Sequence, residues 1–244
     1  MNIQSKIPRD PNRHVELHGD ITNEKLNWLR ASVLGANDGI VSTASIVVGV
    51  AGASSSTGYI LTAGVAGLVA GALSMAVGEY VSVSAQRDSE RALLAKERQE
   101  LIDFPEEELE ELTTIYQKKG LSRDTAHKVA EELTNHDAFA AHVDAELGIN
   151  PNSLTNPWHA AYASALAFVS GAIIPIVAIA LPPSSMRIPI TFASVIFALV
   201  ITGMLSANAG GANKRKATIR VVSGGFLAMA VTYGIGTLFG ISGI

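Results

Sequence analysis

The chain contains no cysteine, which excludes disulfide bridges and thiolate metal sites together. Charge is scarce too. Asp, Glu, Lys and Arg make up 16% of the residues, against roughly a quarter in an average soluble domain. The charges present are unevenly placed. Residues 87–157 hold sixteen acidic and eight basic side chains, and the remaining chain holds six acidic and ten basic. That split excludes a general nucleic-acid binder and describes an acidic, cation-attracting segment set in an apolar frame. The opening MNIQSKIPRDPNRHVELHGD has no apolar core, so no cleaved signal peptide is expected.

Apolar residues, by contrast, reach 48%, with 22 glycines. They fall into five long runs: Leu29–Ala53, Tyr59–Ala85, Trp158–Leu181, Ile188–Ala209 and Val221–Ile244. Each is long enough to cross a bilayer, which takes roughly 20 residues. The first run reaches that length only by continuing through Asp38, although Asp38-Gly39 alone would suit a turn. An acid at that depth is costly and therefore a functional candidate. Gly35 and Gly39 form a small-xxx-small pair, and Gly64, Gly67, Gly71 and Gly78 line the second run, all permitting close helix contact. Met75 and Glu79, four apart, share a helix face. Packing is the ordinary role of such a Met; beside a carboxylate it can also serve as a soft metal ligand. Trp28 beside Arg30 suits a membrane interface.

The second run passes into charged sequence with no break before Pro105, so one helix is expected to leave the membrane and project into water. Asp103 can cap the helix that follows, Gly120 stops it, and Ser122 can cap the next. A further helix, DAFAAHVDAEL, ends at Gly148. Clusters of Glu are usually a solvated face. Here Glu97/Glu100 and Glu108/Glu111 form two ExxE pairs flanking the Pro turn, with no lysine paired between them. Four converging carboxylates repel unless a cation bridges them. Glu146 and His142, four apart, can add oxygen and imidazole ligands.

Loop charge orients the spans. Lys6, Arg9, Arg13, Lys25 and Arg30 flank the N-terminus, and the basic loop NAGGANKRKATIR carries Lys214, Arg215, Lys216 and Arg220. By the positive-inside rule these, and the acidic insert, are cytosolic, with the C-terminus outside. The expected architecture is therefore an all-α membrane protein with five transmembrane helices and a cytosolic helical metal-binding insert between the second and third. Its parts are an arm over residues 1–29, spans 1–2 over 30–86, the insert over 87–157 and spans 3–5 over 158–244. Pro175, inside the third span, is expected to kink it.

The segments LGANDGIVSTASIVVGVAGA, LTAGVAGLVAGALSMAVGEYVSVSAQRD and ERQE…P…EELEE…DAELGI resemble the vacuolar iron transporter (nodulin-like 21) family, in a bacterial-type form. The resemblance covers nearly everything after the first thirty residues. It implies a homodimer with the ion path between subunits and export of Fe²⁺, with Mn²⁺ as a second cargo, from the cytosol in exchange for protons. It assigns Asp38 and Met75 to the path, and Glu97, Glu100, Glu108, Glu111 and Glu146 to the cytosolic site. Three positions depart from the plant pattern: Gly67 replaces a membrane glutamate, with Glu79 further along; Ala31 replaces an aspartate; His142 replaces a methionine ligand.

The expected protein is thus not an enzyme. It has no prosthetic group, and divalent metal, protons, the bilayer and a second copy are its partners. It is a multi-pass protein of the cell (plasma or inner) membrane. The alternatives are a manganese-preferring exporter, a membrane-anchored di-iron ferroxidase and a metal sensor. The ferroxidase would need Glu-x-x-His pairs, and the insert offers only Asp124-x-x-His127. The sensor would not need acids within spans.

Overall fold

A computed structural model describes residues 23–151 and 154–242, and the side chains from Ser32 onward apart from residue 209 and the last residues of the chain. The polar arm and the Trp28, Arg30 and Ala31 side chains lie outside the described residues. Among the described residues seven α-helices follow one another: α1 (Asn23–Ala53), α2 (Thr57–Asp103), α3 (Pro105–Lys118), α4 (Arg123–His142), α5 (Pro157–Ala180), α6 (Arg187–Ala209) and α7 (Lys214–Ser242). A π-helical turn, Val143–Leu147, extends α4, and no strand occurs among the described residues. Five of the helices, α1, α2, α5, α6 and α7, are long and apolar enough to cross a membrane.

The bundle packs around α1. Its residues enter both apolar clusters: Ile40 and Ala44 with Val195, Leu199 and Met229, and Val47 and Val48 with Ile60 and Ile179. Glycine makes this centrality possible. A Cβ on Gly39 would overlap the Phe168 carbonyl of α5, and one on Gly236 of α7 would overlap the Gly49 carbonyl of α1. Bare backbones therefore touch, which is how helices associate when lipid removes the hydrophobic drive. Gly64 and Gly67 seat Val47 and Ile46 of α1, and Gly71 lies under the Phe168 ring. Gly78 is different. A Cβ there would meet nothing within 4 Å, because Gly78 is on the exposed side of α2.

Helix α2 is continuous for 47 residues, roughly 70 Å at 1.5 Å per residue. Its membrane exit is marked by Tyr80, Trp158 and Tyr162, with ring centroids 4.7 Å (Tyr80–Trp158) and 6.1 Å (Trp158–Tyr162) apart. Such amphipathic rings favour the headgroup level. At the opposite end the buried Arg187 donates to the Ser55 carbonyl (3.3 Å) and Thr57 Oγ1 (3.1 Å), tying α6 to the α1–α2 connection.

Several local expectations hold. α2 ends at Asp103 before Pro105, Gly120 has φ 105° beyond the end of α3, and the Thr125 amide donates to Ser122 Oγ at 3.4 Å. Others are corrected. The kink expected at Pro175 does not interrupt α5, which runs as one helix from Pro157 to Ala180. Phe104, not Asp103, is the junction residue, since α2 consumes Asp103 in its last turn. The further helix expected from Asp137 does begin there: α4 is two helices meeting at a non-helical Asp137 (φ −160°, ψ 93°), whose Oδ1 caps the second by accepting from the Ala140 amide at 2.9 Å. The basic stretch from Lys214 is helix rather than loop. Asn213 Oδ1 accepts from the Lys216 amide at 3.1 Å, an N-cap that starts α7 seven residues before Val221.

Candidate metal centre

The insert folds on a small apolar core of Leu112, Ala126, Ala130 and Val143, all buried. Around it α2, α3 and the α4–π segment converge. One ligand atom each from Glu97, Glu108, His142 and Glu146 lies within 4.8 Å of the other three. Glu97 comes from the last turns of α2, Glu108 from the first turn of α3, and His142 and Glu146 from either side of the α4–π boundary. A π turn widens the backbone by a residue and is often found at functional sites. Gly148, at φ 60°, then ends it.

The set is costly to hold without a cation. Glu97 is 3% exposed, and its pKa is pushed up to about 7, first by burial and then by the charges of Glu146, Glu108, Glu100 and Glu111. Burial, followed by neighbouring glutamates, also raises Glu108 and Glu146. A hydrogen bond between Glu97 and Glu146 acts in the opposite sense on Glu146, as does Lys96. His142 is fully buried and held below its ordinary value by that burial. Its Nδ1 stands 3.2 Å from Glu97 and 3.5 Å from Glu108. Neither approach has hydrogen-bond geometry, and both ring nitrogens and Glu97 Oε1 are buried without a partner. With imidazole neutral, these contacts are not salt bridges. Buried, unpartnered lone pairs around an imidazole are a donor set of the kind that suits a divalent cation.

Each ExxE pair splits. Glu97 and Glu108 turn inward, whereas Glu100 and Glu111 stay outside the cluster, close enough for their charges to act on it. The expectation that no lysine pairs with these carboxylates is corrected: Lys96 Nζ lies 2.8 Å from Glu100, one turn away on the exposed side of α2. His127 faces Glu131 at 3.6 Å on the exposed side of α4, outside the cluster, so the Asp124-x-x-His127 pair contributes nothing to it.

In the membrane, Asp38, Met75 and Glu79 are all half-buried. The antiparallel register sets Val47 on Gly64. Counting nine residues back along α1 and eleven along α2, roughly 14 Å and 16 Å, brings Asp38 and Met75 to about the same depth. Glu79 lies one turn nearer the insert. Two neighbours went unread in the sequence. Ser42 Oγ donates to Asp38 Oδ1, and Thr202 Oγ1 of α6 donates to Asn37 Oδ1 at 2.6 Å. The four-residue spacing of Asp38 and Ser42 was signal enough for the first; Thr202 is 165 residues away and left none.

Five membrane-spanning helices, one extended into an acidic ligand cluster, define an integral membrane protein built to handle cations. The comparison with known proteins then gives its kind: residues 29–237 match the VIT family, and the chain belongs to it. It is 48% identical to the vacuolar iron transporter of Acanthamoeba castellanii over 86% of this chain and 78% of that protein. It is 37% identical to vacuolar iron transporter homolog 1 of Oryza sativa subsp. japonica, over 90% of this chain and 77% of that one. Vacuolar iron transporter homolog 1 of Arabidopsis thaliana is 38% identical over 98% and 96%. These names describe transporters rather than enzymes, and metal-ion transport is the activity they support for this chain.

Proposed function

We propose that this protein exports Fe²⁺, and Mn²⁺ as a second cargo, from the cytosol in exchange for protons, with the insert as a capture site and Asp38, Met75 and Glu79 as the transit path. The observation that carries this reading is the placement of the four-ligand cluster at one end of a helix whose other half contains Met75 and Glu79. Oxygen and imidazole donors suit Fe²⁺ and Mn²⁺, and a thioether at about the depth of Asp38 favours the softer cations over Mg²⁺ and Ca²⁺. Glu97 and Glu79 are eighteen residues apart on α2, roughly 27 Å. Capture and transit are therefore separate binding events.

Proton coupling follows from competition. A carboxylate in the path holds either the cation or a proton, so protonation from an acidic receiving side releases the ion. The homodimer belongs to the same reading. α2 is the least covered of the spans, and Val65, Val69, Leu73, Val77 and Val81 form an exposed stripe along it at four-residue spacing. A second copy seated there would bring another α2 to the path. The orientation has the N-terminus and insert in the cytosol, the C-terminus outside and the cell membrane as host. It rests on the basic residues of α7 lying at the insert's end of the bundle.

The test is Fe²⁺ uptake into proteoliposomes carrying an Fe²⁺-quenched dye. Acidifying the receiving side should accelerate uptake and alkalinise that compartment in step with it. Uptake indifferent to the gradient would contradict antiport; no uptake of Fe²⁺ or Mn²⁺ at all would contradict transport.

A further inference from the structure

The cytosolic end of α7 carries charge that neither the cluster nor the path uses. Lys214, Arg215, Lys216 and Arg220 occupy its first two turns, all exposed, and none forms an ion pair among the described residues. Just below them an apolar groove of about 400 Å³ runs between α6 and α7. Ile196 and Val200 form one wall and Ile219, Val222 and Phe226 the other. Ile219 and Phe226 are exposed along it, and Phe226 packs edge-on against Phe192 of α6 with centroids 5.9 Å apart.

The register joins the two features. Arg215, Ile219, Val222 and Phe226 follow one another at helical spacings of four, three and four, so one stripe of α7 begins basic and continues apolar. Lys216 precedes Ile219 by three residues and flanks the same stripe. Residues 215 to 226 span roughly 16 Å, about the hydrocarbon depth of one leaflet. Topology alone needs basic residues somewhere in this connection; it does not need them aligned over a groove.

We infer that the α6–α7 groove is a binding site for one anionic phospholipid, its phosphate held by Arg215 and Lys216 and one acyl chain laid against Ile219, Val222, Val200 and Phe226. The positive end of the α7 dipole adds to the attraction. A zwitterionic lipid fills the same groove but brings a cation to a site already crowded with them.

The full chain in detergent, mixed with equal amounts of phosphatidylglycerol and phosphatidylcholine of matched chains, is examined by native mass spectrometry. Wild type should retain one phosphatidylglycerol per chain in preference to phosphatidylcholine. Arg215→Gln with Lys216→Gln should weaken that retention about tenfold to thirtyfold, taking each basic residue at its usual worth near a membrane surface. Ile219→Trp keeps the charges, fills an exposed part of the groove without burying anything new, and should also lose the lipid. Equal retention of the two lipids by wild type overturns the site, as does a charge variant that retains phosphatidylglycerol unchanged. Full retention by Ile219→Trp means diffuse surface attraction and overturns it too. Retention of neither lipid, with cross-links from Lys216 to insert carboxylates of another chain, would hand the surface to a second copy's acidic insert instead.

Discussion

In the insert, four ligands from three helical segments meet within 4.8 Å and are mostly buried. In the bundle, Asp38 and Glu79 sit half-buried on two different helices, and no group of three His, Asp or Glu forms there among the described residues. The first region gathers four candidate ligands within one chain. The second leaves a coordination shell to be finished by the Met75 sulfur, backbone, water or another copy. On the proposed function, the fuller ligand set is the one suited to capture and the sparser one to transit. The energetic signatures differ in the same way: the insert concentrates unfavourable charge until a cation relieves it, and the bundle spends its contacts on glycine-mediated helix packing.

The largest effect expected from this contrast is at Asp38. Asp38→Ala should reduce Fe²⁺ flux to background while leaving Mn²⁺ binding by the insert unchanged in calorimetry; loss of both together would merge the two regions into one site.

Glu97→Gln should act in the reverse sense. It should weaken Mn²⁺ binding by about tenfold to a hundredfold, as losing a coordinating group does. It should also raise the melting temperature of the metal-free protein at neutral pH. A folded pKa of about 7 against 4.5 means that the Glu97 charge opposes folding as pH rises through that interval. Removing it returns on the order of 1–3 kcal/mol. A lower melting temperature would show that the carboxylate is structural.

The same shifts set a pH dependence. Glu97, Glu108 and Glu146 are all raised, so below about 7 a proton competes with the metal at the insert. Mn²⁺ affinity should climb between about pH 5.5 and about pH 7.5, with protons released on binding. A flat profile would mean that the glutamates are already ionised. The smallest effect belongs to His142. His142→Ala should cost about tenfold in affinity, and His142→Met should recover part of it, because a neutral soft donor replaces a neutral imidazole.

Much of this was legible in the residues, for identifiable reasons. Strong local signals survive folding: the unbroken helix to Asp103, the Pro105 restart, the Gly120 stop and the Ser122 cap depend on one or two neighbours each. The two ExxE pairs were visible, but which member faces inward was not. Residues three apart on a helix differ little in direction, and only packing against Leu112 and Val143 decides. The helix start at Asp137 was legible, but the π turn was hidden for a related reason. It re-aims Glu146 relative to His142, and the four-residue spacing reads as an ordinary helix. The central place of α1 had a signal in its glycines at 35, 39, 49 and 52, two of which were outside the pair singled out. The early start of α7 came down to Asn213, one capping side chain outweighing four charges and two glycines.

The separation of capture from transit is tested most directly by the concentration dependence of uptake in a Glu97→Gln, Glu108→Gln double variant. Fe²⁺ flux into proteoliposomes should fall well below wild type at low metal and rejoin it at saturating metal, since the path through Asp38 is intact. Flux that stays at background however much Fe²⁺ is supplied would contradict the account and make the insert part of the path itself.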